Sequence, residues 1–161
     1  LIKACHAYIN AYPNEKLTAL VDYHNDVITD SLKVARQFGN KIFAVRVDTS
    51  PSMVDKYFTS TESNMGSFDP TGVNSQLIKA LRLALNDEGF SFIKIIASGN
   101  FDYKKINHFK EQNTPVDIYG IGSSILKIKI GFTGDCVEQN GIHQAKVGRI
   151  KFNSNRLKLI K

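Results

Sequence analysis

Four short apolar runs, separated by segments with helical periodicity, constrain the fold of this chain more than any other feature. Nearly continuous apolar runs of this length are typical of strands that are buried on both faces. Strands that alternate with helices are joined by right-handed crossovers, which place the strands parallel in one sheet. The pattern therefore predicts an α/β fold with a parallel sheet. The predicted strands are Leu17–Asp22, Ile42–Val47, Phe92–Ala97 and Val116–Tyr119.

Three segments between the runs carry the start signals of helices. Each follows an Asn or Asp, whose side chain can cap a helix N-terminus, and two end at a glycine, which suits the turn after a helix. The predicted helices are Val27–Phe38 after Asn25 or Asp26, Ser75–Glu88 after Asn74, and a third that Asp102 caps and that ends near Glu111. Helical spacing also occurs in Leu1–Tyr12 and, within the long polar connection Thr49–Asn74, in Met53–Phe58.

The pattern changes after Leu126. The dipeptide Asn140-Gly141 is a strong signal for a two-residue hairpin turn, and it lies between the segments Gly134–Glu138 and Ile142–Val147. We therefore expect a β-hairpin near the end of the chain.

The composition argues against several classes of protein. The net charge is +6 over 161 residues, but the lysines are spread along the chain and tryptophan is absent, which argues against nucleic-acid binding. No run approaches the roughly 18 apolar residues of a membrane span. Cys5 and Cys136 lie far apart in apolar surroundings, which predicts reduced, buried thiols in a cytoplasmic protein. No two histidines have the spacing of metal ligands, so we expect no protein-held metal.

Polar residues or glycines close all four predicted strands. Because the carboxyl ends of parallel strands share one edge of a sheet, these groups should lie together, at the edge where such folds bind ligands. The sequence therefore predicts a binding site there. The four groups are Asp22, Arg46-Val47-Asp48-Thr49, Ser98-Gly99-Asn100 and Gly120-Ile121-Gly122-Ser123.

Each group suits a particular contact. Arg46 can bind a phosphate or carboxylate through its planar fork, and Asp48 can hold ribose hydroxyls or Mg²⁺, although the two residues could instead form a structural ion pair. The turns that contain Ser98 and Ser123 can hold a phosphate between them, because glycine lets the backbone approach an anion closely. Asp22 can orient a ligand ring, a hydroxyl group or the arginine, or can simply cap the next helix.

The same motifs resemble a known family. The chain resembles the C-terminal half of nicotinate phosphoribosyltransferases, in their shorter archaeal and mycoplasma-like form, over nearly its whole length. The motifs occur in the order of the family: LVDYHND at Leu20–Asp26, AVRVDTSPS at Ala44–Ser52, GVN at Gly72–Asn74, IIASGNFD at Ile95–Asp102, YGIGSSI at Tyr119–Ile125 and GDCVEQNGIHQAKVGR at Gly134–Arg149.

The resemblance implies a fold and a domain organisation. It implies a partial TIM-like (β/α) barrel of a type II phosphoribosyltransferase with a C-terminal β-hairpin extension. Residues 1–130 would form part of the barrel, and residues 131–161 would pack on an N-terminal domain that precedes this chain. It also implies a cytoplasmic homodimer with the active site at the subunit interface.

The reaction implied by the resemblance joins nicotinate to phosphoribosyl pyrophosphate, giving nicotinate mononucleotide and pyrophosphate in NAD biosynthesis. ATP hydrolysis would drive it through a phosphohistidine, and Mg²⁺ would accompany the phosphates. The motifs imply catalytic roles for Arg46 and Asp48, to which we add Asp22. Phosphate binding is implied for Ser98, Gly99, Asn100, Gly120, Gly122 and Ser123, and we also predict substrate contacts for His24 and Thr49.

The chain departs from the family pattern at several positions. Asn100 replaces a glycine, Ser123 a threonine and His24 an aromatic residue, and Met53 stands where arginine is frequent. The phosphorylatable histidine of the family would precede Leu1. Two alternatives therefore stay open: a quinolinate or nicotinamide phosphoribosyltransferase, and a truncated, non-catalytic phosphate-binding relative.

Overall fold

A computed structural model describes residues 1–59, 68–127, 129, 131, 134–152 and 154–156 of the chain. It divides into two compact units, Leu1–Ile128 and Lys129–Lys161. The assignment of residues 1–130 and 131–161 to a barrel and to an extension on another domain stays a prediction.

The first unit contains a sheet of four parallel strands whose order in space is their order in the chain. In a doubly wound sheet the strand order reverses at a switch point, whereas sequential parallel strands form the wall of a (β/α) barrel. The predicted α/β class and parallel sheet are thus confirmed. The strands are β1 (Leu17–Leu20), β2 (Ile42–Val47), β3 (Lys94–Ala97) and β4 (Ile118–Tyr119).

The three predicted main helices are present, and each is capped by an Asn or Asp side chain. Asp26 accepts a hydrogen bond from the Thr29 N–H, Asn74 from Leu77 and Asp102 from Lys105. The helices are α1 (Ile2–Ala11), α2 (Val27–Phe38), α3 (Lys56–Thr59), α4 (Ser75–Asp87), α5 (Tyr103–Glu111) and α6 (Ser123–Leu126), with a 3-10 turn at Gly39–Lys41. The short helix predicted over Met53–Phe58 is α3, which begins three residues later.

The prediction that the strands are buried on both faces is wrong for β1, where buried and exposed residues alternate. Its buried residues, Leu17 and Ala19, belong to the core beneath helices α2 and α4, and Thr18 and Leu20 are exposed. The register aligns Leu20, Arg46, Ile96 and Ile118 across the sheet in one row on the opposite face. Three of the four are exposed, because no described helix packs over this row.

Asp117 ties the start of β4 to β3. Its carboxylate accepts hydrogen bonds from the Ile95 N–H at 2.8 Å, from Lys94 at 2.9 Å and from Arg82 at 3.1 Å. Burial alone would raise the pKa of this carboxyl, but the three donors together hold its pKa below the usual value. The short strand β4 is therefore fixed in register at its amino end.

The loop after β1 and the loop after β2 are clamped together. The Asn25 side chain donates to the Val54 carbonyl at 2.6 Å, and the Asn25 carbonyl accepts from the Lys56 N–H at 2.9 Å. The fully buried Asp55 carboxylate accepts from the Val27 N–H at 3.0 Å. Burial raises the pKa of Asp55, and the backbone donors oppose that rise. The two loops consequently form one rigid body next to the strand ends.

The second unit contains the predicted hairpin in shorter form, with β5 (Glu138–Gln139) antiparallel to β6 (Ile142–His143). Asn140 and Gly141 have φ values of 52° and 79°, as a type I′ turn requires. The prediction of a buried Cys136 is wrong, because this thiol is exposed, whereas Cys5 is buried as predicted. A two-stranded hairpin has no layer beneath it that could cover an apolar neighbour.

None of the helices in the described residues is both long and apolar enough to cross a membrane.

Candidate functional site

A cavity of about 370 Å³ lies at the carboxyl ends of β2, β3 and β4; we call it the strand-end cavity. Three of the four groups predicted from the sequence contribute to its wall, so the structure brings them together. The lining residues are Arg46, Asp48, Ser98, Gly99, Asn100, Phe101, Gly120, Ile121, Gly122 and Ser123.

Arg46 and Asp48 are both unpaired at this cavity. Arg46 is exposed and Asp48 is half-buried, and in the described part of the chain neither forms an ion pair with the other or with any third residue. The alternative of a structural Arg46–Asp48 pair is therefore not supported. A guanidinium and a carboxylate that have no ion-pair contact in the described residues can each bind a ligand.

Gly99 holds the backbone against Asp48. Its φ of +92° disfavours a side chain, and a Cβ at this position would lie 2.9 Å from the Asp48 Oδ1 atom. Glycine is favoured here by conformation, and a Cβ would in addition displace the Asp48 carboxylate. The Asp48 carboxylate is consequently held against the turn that follows β3.

We expect Gly99→Ala to destabilise the protein more than Gly89→Ala does. Gly89 also has a positive φ, +79°, but a Cβ there would meet nothing within 4 Å, so that variant measures the conformational cost alone, about 1–2 kcal/mol. Denaturant unfolding of both variants gives the comparison. Equal losses would mean that the contact with Asp48 does not constrain position 99.

Asn100 has a backbone conformation that glycine adopts readily. Its φ of +55° is left-handed, and asparagine tolerates this conformation better than other non-glycine residues. The turn after β3 therefore keeps the backbone conformation that a glycine would allow, and adds an amide to the wall of the strand-end cavity.

Ser98 and Gly120 hold the turn after β3 close to the turn after β4, and these are the two turns predicted to bind phosphate. The Ser98 hydroxyl donates to the Val47 carbonyl at 3.2 Å, so its oxygen is held at the floor of the cavity. A Cβ on Gly120 would lie 2.8 Å from the Ser98 Cβ, so the turn after β4 can approach the turn after β3 only because residue 120 is glycine. Ser123, by contrast, is exposed, and its hydroxyl has no partner among the described residues.

Lys105 is a charged neighbour of the site that the sequence reasoning missed. Its Nζ donates to the Gly99 carbonyl at 3.3 Å and lies 4.4 Å from the centre of the Phe101 ring. Burial lowers the pKa of the Lys105 ammonium, and the carboxylates of Asp102 and Asp48 oppose that effect. A lysine in the first turn of a helix that follows a glycine-containing strand end was the available signal.

Three predicted site residues lie outside the strand-end cavity. The Asp22 carbonyl accepts the Asn25 N–H, but Asp26, not Asp22, caps α2. Thr49 is buried, its hydroxyl has no partner among the described residues, and it lines a second cavity of about 340 Å³ between the start of α4 and α5. His24 lies on the loop after β1.

The His24 ring is bonded to a carboxylate that the sequence reasoning also missed. Its Nδ1 lies 2.6 Å from the Oδ2 atom of Asp30, which is buried on the inner side of α2. The signal was present in the sequence, because Asp30 stands with Val27 and Val34 at the spacing of an inner helix face. A carboxylate at such a position needs a partner.

No protein-family model matches the chain. The chain is 25% identical, over 139 residues and 75% of its length, to nicotinate phosphoribosyltransferase from Bacillus subtilis strain 168. It is also similar, with a TM-score of 0.53 and 28% identity over 90% of its length, to the crystal structure of nicotinate-nucleotide pyrophosphorylase from Pyrococcus furiosus. The chain is related to these phosphoribosyltransferases. The sequence-based assignment to a related phosphoribosyltransferase family is thereby confirmed.

The relationship covers only part of each relative. The chain spans 24% of the length of the Bacillus phosphoribosyltransferase and 36% of the Pyrococcus pyrophosphorylase chain.

Within the described residues, no group of three or more His, Cys, Asp or Glu side chains is arranged to hold a metal ion.

Proposed function

We propose that the protein is a nicotinate phosphoribosyltransferase, which forms nicotinate mononucleotide and pyrophosphate from nicotinate and phosphoribosyl pyrophosphate. The names of both relatives support a reaction of pyridine nucleotides. The observation that carries the proposal is the strand-end cavity, because one wall combines a cation, a carboxylate and two glycine-containing turns. A phosphorylated sugar needs these contacts.

Each part of the cavity suits one part of the substrate. The turns after β3 and β4, with the Ser123 hydroxyl, would hold the 5′-phosphate of the ribose, and the Ser98 hydroxyl would join them by turning from the Val47 carbonyl to the phosphate. Asp48 follows β2, which lies one strand nearer to β1 than β3 does, and would accept hydrogen bonds from the ribose hydroxyls. Arg46 would pair with an anionic oxygen of the pyrophosphate or of the base. Asp22 would orient the base from the end of β1.

In this reaction the protein would contribute mainly positioning and electrostatic stabilisation. The bond from C1′ to the pyrophosphate oxygen breaks with its electron pair on the leaving oxygen, and the pyridine nitrogen supplies the pair for the new bond to C1′. Positive charge develops on the ribose between these events. A carboxylate held beside the ribose, as Asp48 would be, stabilises that charge without forming a bond.

The proposal includes Mg²⁺ bound together with phosphoribosyl pyrophosphate. The half-buried Asp48 carboxylate has no ion-pair partner in the described ranges, and such an oxygen donor fits this hard cation. When bound, the ion would neutralise charge on the leaving group. ATP hydrolysis, a homodimer with a shared active site and a cytoplasmic location belong to the proposal through the family resemblance alone.

An assay of the full-length protein tests the function. It would be given phosphoribosyl pyrophosphate, Mg²⁺ and radiolabelled nicotinate, quinolinate or nicotinamide, each with and without ATP. We expect mononucleotide from nicotinate, faster with ATP. Product from quinolinate or nicotinamide alone would favour the alternative enzymes. Binding of nicotinate mononucleotide without turnover of any base would indicate a non-catalytic relative.

A further inference from the structure

The Asp30 carboxylate holds the His24 ring in one orientation. The Asp30 side chain is only 2% exposed, and its Oδ2 atom lies 2.6 Å from Nδ1 of His24, whose side chain is 51% exposed. Because a carboxylate only accepts hydrogen bonds, Nδ1 must carry the proton in this contact. The other ring nitrogen, Nε2, has no partner among the described residues and can meet a ligand.

Two contacts position the His24 ring, and the loop that carries it is clamped. Asp30 holds Nδ1, the Tyr23 ring packs edge-on against the imidazole at 4.9 Å, and the loop that carries both residues is clamped through Asn25 to the loop after β2. The second oxygen of Asp30 is 3.7 Å from Lys33 Nζ. A buried carboxylate that orients a half-exposed imidazole on a rigid loop is the arrangement by which a histidine is prepared for a ligand.

The position of the dyad determines which part of the ligand it can reach. The register pairs Leu20, the last residue of β1, with Arg46, so the loop that carries His24 is one strand from the strand-end cavity. Strands are about 4.8 Å apart, so β1 lies about 14 Å from β4 along the edge. A nucleotide with its phosphate between the turns after β3 and β4 would bring its base to the loop that carries His24 if it crossed the ends of β2 and β1.

We propose that His24 binds the carboxylate of the pyridine base through Nε2 and so sets the preference for a carboxylate-bearing base, with Asp30 as its positioning residue. The proposal rests on the proposed function for the nature of the base. With both ring nitrogens protonated, Nδ1–H donates to Asp30 and Nε2–H donates to the ligand carboxylate. The imidazole thereby links the ligand to a buried carboxylate of this chain.

The test compares bases and variants in the full-length protein. His24→Phe keeps an aromatic ring and removes both nitrogens, and His143→Phe is the matched control, since His143 is exposed on the hairpin. We expect His24→Phe to lower kcat/KM for nicotinate about tenfold or more, the scale of one hydrogen bond to a charged group, and to change the value for nicotinamide less than twofold. Asp30→Asn should shift the ratio the same way, and His143→Phe should leave it unchanged.

A direct readout keeps the outcome independent of turnover. In side-chain ¹H–¹⁵N spectra, the His24 signals should move when nicotinate is added and stay in place with nicotinamide. An unchanged base ratio in His24→Phe, or equal losses for both bases with a lowered Tm, would overturn the proposal and leave a structural pair. If the parent protein transfers to no base, the proposed function fails, and immobile His24 signals with nicotinate would then overturn this inference as well.

Discussion

Asp48→Asn is expected to lower the turnover of the full-length protein about 100-fold or more, the scale of one positioned electrostatic group in an active site. The variant keeps the shape of the side chain and removes its charge. Asp48 has no ion-pair partner in the described residues, so little stabilising energy is lost in the fold, and the Tm should barely move. Steady-state kinetics and a thermal melt on the same variant measure both effects.

Asp102→Asn is the matched control for Asp48→Asn. Both carboxylates act electrostatically on Lys105, and asparagine caps a helix as well as aspartate does, so the control removes the same charge near the same lysine without disturbing α5. Its kinetics should match those of the parent. A lowered Tm with normal turnover in Asp48→Asn would mean that Asp48 has a structural role. The assignment of the strand-end cavity as the active site would then lose much of its support.

Gly120→Ala is expected to weaken the binding of nicotinate mononucleotide by about 100-fold. The added Cβ would lie 2.8 Å from the Ser98 Cβ, so the turn after β4 must move away from the turn after β3. A displacement of about 1 Å in a positioning element can cost about 100-fold. The overlap should also lower the free energy of unfolding by about 1–3 kcal/mol, as overpacking does.

Gly122→Ala separates an effect on ligand affinity from an effect on the stability of the fold. A Cβ at position 122 meets nothing within 4 Å, so this variant should unfold like the parent. If the phosphate approaches the backbone of this turn, its affinity should nevertheless fall. Calorimetric titration with nicotinate mononucleotide gives both affinities. Parent-like binding by Gly120→Ala and Gly122→Ala together would place the phosphate elsewhere.

The strand ends could be predicted from the sequence because each is marked locally. The change from apolar residues to Arg46 and Asp48, or to Ser98 and Gly99, marks the end of each strand. The parallel connectivity then brings these ends together at one edge of the sheet. The strand-end cavity follows from these two facts. The catalytic and binding roles assigned to its residues stay predictions.

The contacts that the sequence did not reveal depend on side-chain direction and on the path of a loop, even where the two partners are only six residues apart. Periodicity predicted that β1 is buried, but not that Leu20 would face away from the helices. It placed Asp30 on α2, but the bond to His24 depends on where the preceding loop crosses the helix. Lys105 was similarly hidden, because its contact with Gly99 depends on how the turn after β3 leads into α5, and Asp48 comes from the loop after β2.

The clamp between the loops after β1 and β2 has a consequence for how this chain can change in length. Asn25 is bonded to Val54 and Lys56, and Val27 to Asp55, at fixed backbone positions. Insertion or deletion of one residue in either loop would displace all of these partners at once. Length changes in the two loops must therefore occur together.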